Sequence, residues 1–147
     1  MMGCDIHPRL QVKPEYHGEW KTVAVPSDGR WYLFFELLVG VRQRHGFAGV
    51  MPALRGLPNP LGRTSDYDCE RRDSIGDHSQ TWWTLAEMKA ALPQAEAFCG
   101  SITEPPADWG GATLDRFKAW IALGDMMRDA HEATSDDDVR FVVGFDN

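Results

Sequence analysis

A long interval without periodicity governs how this chain can fold. From His45 to Ser79 the residues run HGFAGV, then ALRGLPNPLG, then SDYDCERRDSIGDHS, rich in Gly, Pro, Asp and Arg. A structureless stretch of that length is uncommon inside a small domain, and where it occurs it is often functional. It is expected to form the lid or wall of a site. Regular structure is confined to its two flanks.

On the N-terminal flank, CDIHPRLQVK (residues 4–13) alternates. Ile6, Leu10 and Val12 point one way, and Asp5, His7, Arg9 and Gln11 the other. Period two marks a half-buried strand, and Pro8, lacking a ladder donor, marks an edge or bulge. A turn at Tyr16–Gly18 and a second strand, Trp20 to Val25, complete a hairpin. Arg30 to Arg42 carries apolar residues at Leu33, Phe34, Leu37, Leu38 and Val41, a helical spacing that Ser27 or Asp28 would cap.

On the C-terminal flank, Thr81 to Leu92 reads as a helix. Thr84 and Glu87 form a capping box, and Pro93 is the stop. Pro105-Pro106 and Gly110-Gly111 bracket a loop before a long helix, Thr113 to His131. Asp136 to Asp138 make a turn. VRFVVGFDN closes the chain as a strand, with Val139, Phe141, Val143 and Phe145 alternating with the rest. No βαβ alternation is present. The expectation is therefore α+β: a small antiparallel sheet, made of the N-terminal hairpin plus the C-terminal strand, packed against about three helices, with a long irregular loop. The last strand is expected to pair with the first and bring Asp146 and Asn147 to the polar N-terminal face.

At 147 residues the chain is expected to be a single domain, 1–147. A net charge of −7 argues against duplex DNA as a partner, yet permits a small anion held by arginines. Cys4, Cys69 and Cys99 show no C-x-x-C spacing, which excludes a zinc ribbon and makes a disulfide framework improbable. No signal-peptide pattern opens the chain, and the apolar run from Leu33 to Val41 is too short for a membrane span. A cytoplasmic protein is expected, with no membrane partner; a homo-oligomer is left open.

Two clusters could carry chemistry. Asp5 and His7, two apart on a strand, share a face, as D-x-H pairs do in metal-dependent phosphoesterases. Asp77-His78-Ser79 sits where the long loop ends. If the loop folds back over the sheet, His7 and His78 face each other, and two mechanisms open. Asp5, His7, Asp77 and His78 would hold a divalent metal ion that activates water, with Asp5, His7 and His78 as the core ligands. Alternatively, one imidazole removes a proton from a ribose hydroxyl while the other protonates the leaving oxygen. Arg30, Arg42 and Arg55 would hold phosphate. Trp82, Tyr32 and Ser79 would line the ligand. Each has a plainer reading: a solvated strand face, a helix cap, a core aromatic, or for Arg55 a carboxylate partner. Cys4, on the opposite face from Asp5, reads as a small buried residue.

MGCDIH, Gly29-Arg30-Trp31-Tyr32-Leu33-Phe34-Phe35, Gly40-Val41-Arg42, RGLP from Arg55 to Pro58, the Asp77–Trp82 segment and the closing VRFVVGFDN together resemble a family of small, mostly uncharacterised proteins of tailed bacteriophages. The resemblance spans nearly the whole chain and contains no catalytic signature. It implies an accessory phage protein in the host cytoplasm that counters host defence or alters nucleotide metabolism. Where the family reads R-N-Y, this chain has Arg30-Trp31-Tyr32, so any ligand bond made by that asparagine is missing here. Two functions are expected from residues and resemblance together. One is a small phosphodiesterase or nuclease acting on a nucleotide-type phosphate ester such as a host defence signal. The other is a non-catalytic protein that sequesters a nucleotide signal or inhibits a host defence protein.

Overall fold

A computed structural model describes residues 3–26 and 29–147. The proposed caps Ser27 and Asp28 lie outside the described residues. The elements run β1 (Asp5–Ile6), β2 (Arg9–Val12), β3 (Lys21–Ala24), α1 (Tyr32–Val39), β4 (His78–Thr84), α2 (Leu85–Ala90), α3 (Leu92–Gly100), α4 (Trp109–Ala130) and β5 (Val139–Asp146). The class is α+β, with a five-stranded antiparallel sheet and helices against it.

The C-terminal strand is the centre of the sheet. Along one edge of β5 lie β2 and then β1 (Arg9 opposite Val142, Asp5 opposite Asp146), and β3 extends that side by pairing with β2. The register runs unbroken across Pro8, because His7 N–H still donates to Gly144 O at 2.8 Å. The expected strand 4–13 is thus one path with a proline gap. Along the other edge of β5 lies β4. A strand paired on both edges and covered on both faces is buried at alternate and intervening residues alike, and β5 is buried from Val139 to Phe145.

Parity decides which layer each residue meets. Phe141 stacks on Trp120 of α4, and Phe145 meets Phe35 of α1 edge-on. Odd positions of β5 therefore face the helices. Even positions face the long loop: Arg140 donates to Pro60 O at 2.8 Å, and a Cβ on Gly144 would lie 1.6 Å from Ile75 O. The loop's covering role explains its length and lack of periodicity. It also protects the sheet edges. Thr22 N–H donates to Arg63 O along β3, and Gly56 N–H donates to Gln80 O along β4, so neither edge is left as an open template.

Several boundaries differ from the sequence expectation. Residues 81–84 form strand, not helix, because Thr81, Trp82, Trp83 and Thr84 pair with Val143 back to Arg140 and Trp83 is fully buried against Phe141. Pairing and burial there prevail over helical patterning. The capping box is present, with Thr84 at the N-cap, so the helix begins at Leu85. Pro93 does not stop the helical run outright; it sits in the first turn of α3, where its missing N–H costs no bond. The long helix begins four residues early, at Trp109, and takes in Gly110, whose missing Cβ lets Cys99 O approach. Among the described residues, no helix is long and apolar enough to cross a membrane.

Candidate functional site

The residues expected to form one site divide among three places, with His78 and Ser79 apart from all three. The first is the polar end of the β1–β5 pair. Asp5, Arg30, Asp77, Asp146 and Asn147 line an open cleft with Gly3. Arg30 Nε donates to Asp5 Oδ1 at 2.8 Å, and this bond chiefly holds the Asp5 carboxyl below its ordinary range. The guanidinium lies so close to Gly3 that a Cβ there would come within 2.0 Å of Arg30 Nη1. His7 Nε2 lies 2.7 Å from Asp146 Oδ2. The last strand does bring Asp146 to the N-terminal polar face, and the two expected catalytic groups there, Asp5 and His7, are engaged by partners within the chain.

His78 is elsewhere. It pairs with Phe145, and its ring stacks on the Phe145 ring with centroids 6.1 Å apart. Phe145 and Asp146 are consecutive residues of one strand and so point to opposite faces. His7 is held on the Asp146 face and His78 on the Phe145 face. The two imidazoles do not face each other, which corrects the expected pairing. The loop does fold back over the sheet, but β4 joins β5 with His78 turned toward the helices. The His78 Nδ1 meets Ser79 Oγ at 3.0 Å, while its buried Nε2 has no hydrogen-bond partner among the described residues. Ser79 has φ +53°, and the ladder slips by one residue between His78 and Thr81. No group of three or more His, Cys, Asp or Glu side chains among the described residues is placed to hold a metal ion. The ligand set Asp5, His7 and His78 is not assembled, because its members sit on both sides of the sheet.

Arg55 and Trp82 make the second place. Arg55 forms two bonds to the Glu87 carboxylate, at 2.9 and 2.6 Å, donates to Trp82 O, and lies 4.6 Å over the Trp82 ring. Of the two partners weighed for Arg55, the structure supplies the carboxylate. Glu87, the acid of the capping box, is drawn below the ordinary carboxylate range chiefly by that guanidinium. Arg55 closes the β4 edge and is not part of either cleft.

The third place gathers Tyr32 and Arg42 with residues that no sequence pattern joins to them. Tyr32, Leu33, Glu36, Arg42, Gln43, Arg44, His45 and Trp109 line a cleft of about 220 Å³. Gly40, with φ +73°, ends α1 in a left-handed cap and turns the chain so that residues 42–45 form the cleft's basic side. Arg42 lies 5.3 Å over the Tyr32 ring. Tyr32 Oη accepts from Cys4 N–H at 3.0 Å, tying the cleft wall to the segment that carries Asp5. Cys4 is fully buried, as expected, and burial raises its thiol pKa against the opposing hydrogen bond from Arg42. Arg44 is exposed and forms no ion pair among the described residues.

Behind this rim stands a row of charges. Glu36, buried in α1, accepts from His45 Nδ1 at 2.7 Å and from the N–H groups of His45 and Phe47. The other ring nitrogen, Nε2, is bonded to Glu104. Burial pushes the Glu36 carboxyl up, but the bonds from His45 and neighbouring backbone outweigh it and hold it low. The two carboxylates, Glu36 first, raise the His45 pKa, so the imidazole favours its cationic form. A signal for this row was available. Glu36 interrupts the apolar run LFFELL at a helical position that faces inward, and a carboxylate there needs a partner. His45 and Glu104 carried no such signal, because loop contacts have no period.

Trp31, the residue that departs from the resembled pattern, lies outside the cleft. Its Nε1 donates to Thr113 Oγ1 at 2.9 Å, and Arg116 lies 4.5 Å over its ring, so it fastens α1 to α4. No family model matches the chain, and neither the curated proteins nor the solved structures contain a match to it.

Proposed function

We propose that this protein binds a nucleotide-type anion in the cleft between Tyr32 and Trp109 and holds it without turnover. The observation that carries the reading is the meeting of Arg42, Gln43, Arg44 and the cation-favouring His45 with two aromatic rings in one concave site. Guanidinium groups suit phosphate, aromatic faces suit a base, and a mainly apolar cleft with a few convergent polar groups is the usual form of a small-ligand site. A basic rim on a chain of net charge −7 is a local field, suited to a small anion and not to a long polyanion. The two catalytic schemes required His7 and His78 together, and the opposite faces those residues occupy favour binding over hydrolysis. The resemblance to tailed-phage proteins suggests that the ligand is a signalling nucleotide of host defence.

A calorimetric panel of cyclic and linear mononucleotides and dinucleotides, with and without Mg²⁺, tests the reading. Ligand recovered after denaturation is then analysed by mass spectrometry. At least one nucleotide is expected to bind and return intact. Arg44→Glu should weaken it at least about tenfold, the effect of removing one charge-assisted hydrogen bond. Arg55→Ala, outside the cleft, should leave affinity unchanged. Recovery of cleaved ligand, or indifference to Arg44→Glu, refutes the reading.

A further inference from the structure

The two sides of the His45 ring are held in different ways. Nδ1 is fixed by Glu36, whose side chain is only 1% exposed and which also accepts the N–H groups of His45 and Phe47. Nε2 is bonded to Glu104, whose side chain is 33% exposed and belongs to the irregular segment 101–108 between α3 and α4. Apart from His45, Glu104 is held by backbone bonds of its own segment. One carboxylate is built into the core of α1, and the other reaches in from a loop.

We infer that His45 Nε2 is the anion-gripping group of this cleft, and that a phosphate oxygen of the ligand takes the place of the Glu104 carboxylate on it. This deepens the reading of the cleft as an anion site and rests on it. A carboxylate oxygen and a phosphate oxygen are equivalent acceptors for an imidazolium N–H. Glu36 keeps the ring oriented and favours its charge whichever anion is on the far side, so the exchange needs no reorientation of the imidazole. Arg42, Gln43 and Arg44 precede His45 directly and line the same cleft, so an anion that reaches Nε2 meets a run of donors. Glu104 then sets specificity: only a ligand whose anionic group outcompetes a tethered carboxylate is retained.

The test uses the full chain, with AMP and inorganic phosphate as separate probes. Glu104→Gln should tighten both about tenfold, because the competing charge-assisted bond is gone. Asp108→Asn removes the same charge from an exposed position of the same segment without touching His45, and should change affinity less than about twofold, as a screened surface charge does. Equal tightening in the two variants, or none in Glu104→Gln, overturns the inference. A second measurement needs no variant. In nitrogen spectra of isotope-labelled histidine, saturation with phosphate should move the His45 Nε2 resonance and leave Nδ1 in place. An unmoved Nε2 at saturation overturns it too. Failure of the wild-type chain to bind any nucleotide sinks the anion-site reading itself. Binding that Arg44→Glu abolishes and Glu104→Gln leaves alone sinks only the displacement at His45.

Discussion

Thr84 shows how much one residue can settle. Its hydroxyl accepts Glu87 N–H at 3.1 Å, and Glu87 Oε1 accepts Thr84 N–H at 3.0 Å, so the strand-to-helix change at Leu85 is made by a reciprocal pair. Thr84→Ala should cost about 1 kcal/mol in a denaturant melt, the usual value of an N-cap. Glu87→Gln should cost at least as much, since it weakens the cap and takes the anion from Arg55 at once. The motif was legible in sequence because both partners lie within one turn. Arg55 was not, because its partner lies thirty-two residues away, across the β4 edge. Sequence could say that an arginine between apolar neighbours needs an anion, and only the fold could say which one.

At the scale of elements, the contrast between two glycines tests the layer arrangement. Gly144 lies in β5 where the loop crosses the sheet, and a Cβ there would lie 1.6 Å from Ile75 O, a backbone atom that cannot swing away. Gly144→Ala should destabilise by more than about 3 kcal/mol or prevent folding, the signature of overpacking against backbone. Gly111, in the first turn of α4, has nothing within 4 Å of the same position. Gly111→Ala should stabilise by about 0.5–1 kcal/mol by removing unfolded-state freedom. Thermal melts of the two variants should therefore move in opposite directions. Similar shifts would mean that the loop does not lie on the sheet as described. From sequence, β5 reads as an alternating strand with one wet face. Its even face is dry because residues 57–77 cover it, and no pattern within β5 announces that cover. Its buried Arg140 shows the consequence. Burial lowers its pKa to about 10, and it is satisfied by Gln11 Oε1, Pro60 O and the face of Trp20 at 4.1 Å.

For the whole molecule, the charged groups set a window of stability. Glu87 is held low chiefly by Arg55, and Glu104 chiefly by His45. In Glu36 and Asp136 burial opposes ionisation, yet bonds from His45 and from Lys89 and Arg128 hold their carboxyls low. A carboxyl whose folded pKa is depressed contributes stability above its unfolded pKa and loses it as pH falls through the folded one. These contributions are complete above the ordinary carboxylate values of 3.8 and 4.5 and fade in acid. His45 has the opposite sign. Its raised pKa contributes stability that is full below 6.5 and lost as pH rises through the folded value. The melting temperature should peak between about pH 5 and 6.5 and fall on both sides. His45→Gln should flatten the alkaline side and leave the acid side sloped. An alkaline slope unchanged in that variant would remove His45 from the balance.

Sequence alone determined what is local or periodic. The terminal strands, the capping box, the inward face of α1, the burial of Cys4 and the α+β class all follow from spacing within a few turns or from alternation along a strand. Tertiary structure alone decided what depends on which face a strand presents and on who lies beside it. Ile6, Phe145 and His78 look toward the helices, while Asp5, His7 and Asp146 look the other way, so two histidine motifs that seem complementary in sequence end on opposite sides of the sheet. The cleft that does form joins α1, the turn after it and the start of α4. Residues that are remote along the chain carry no shared period, and only the packing of α1 against its neighbours brings Glu36, His45 and Glu104 into one row.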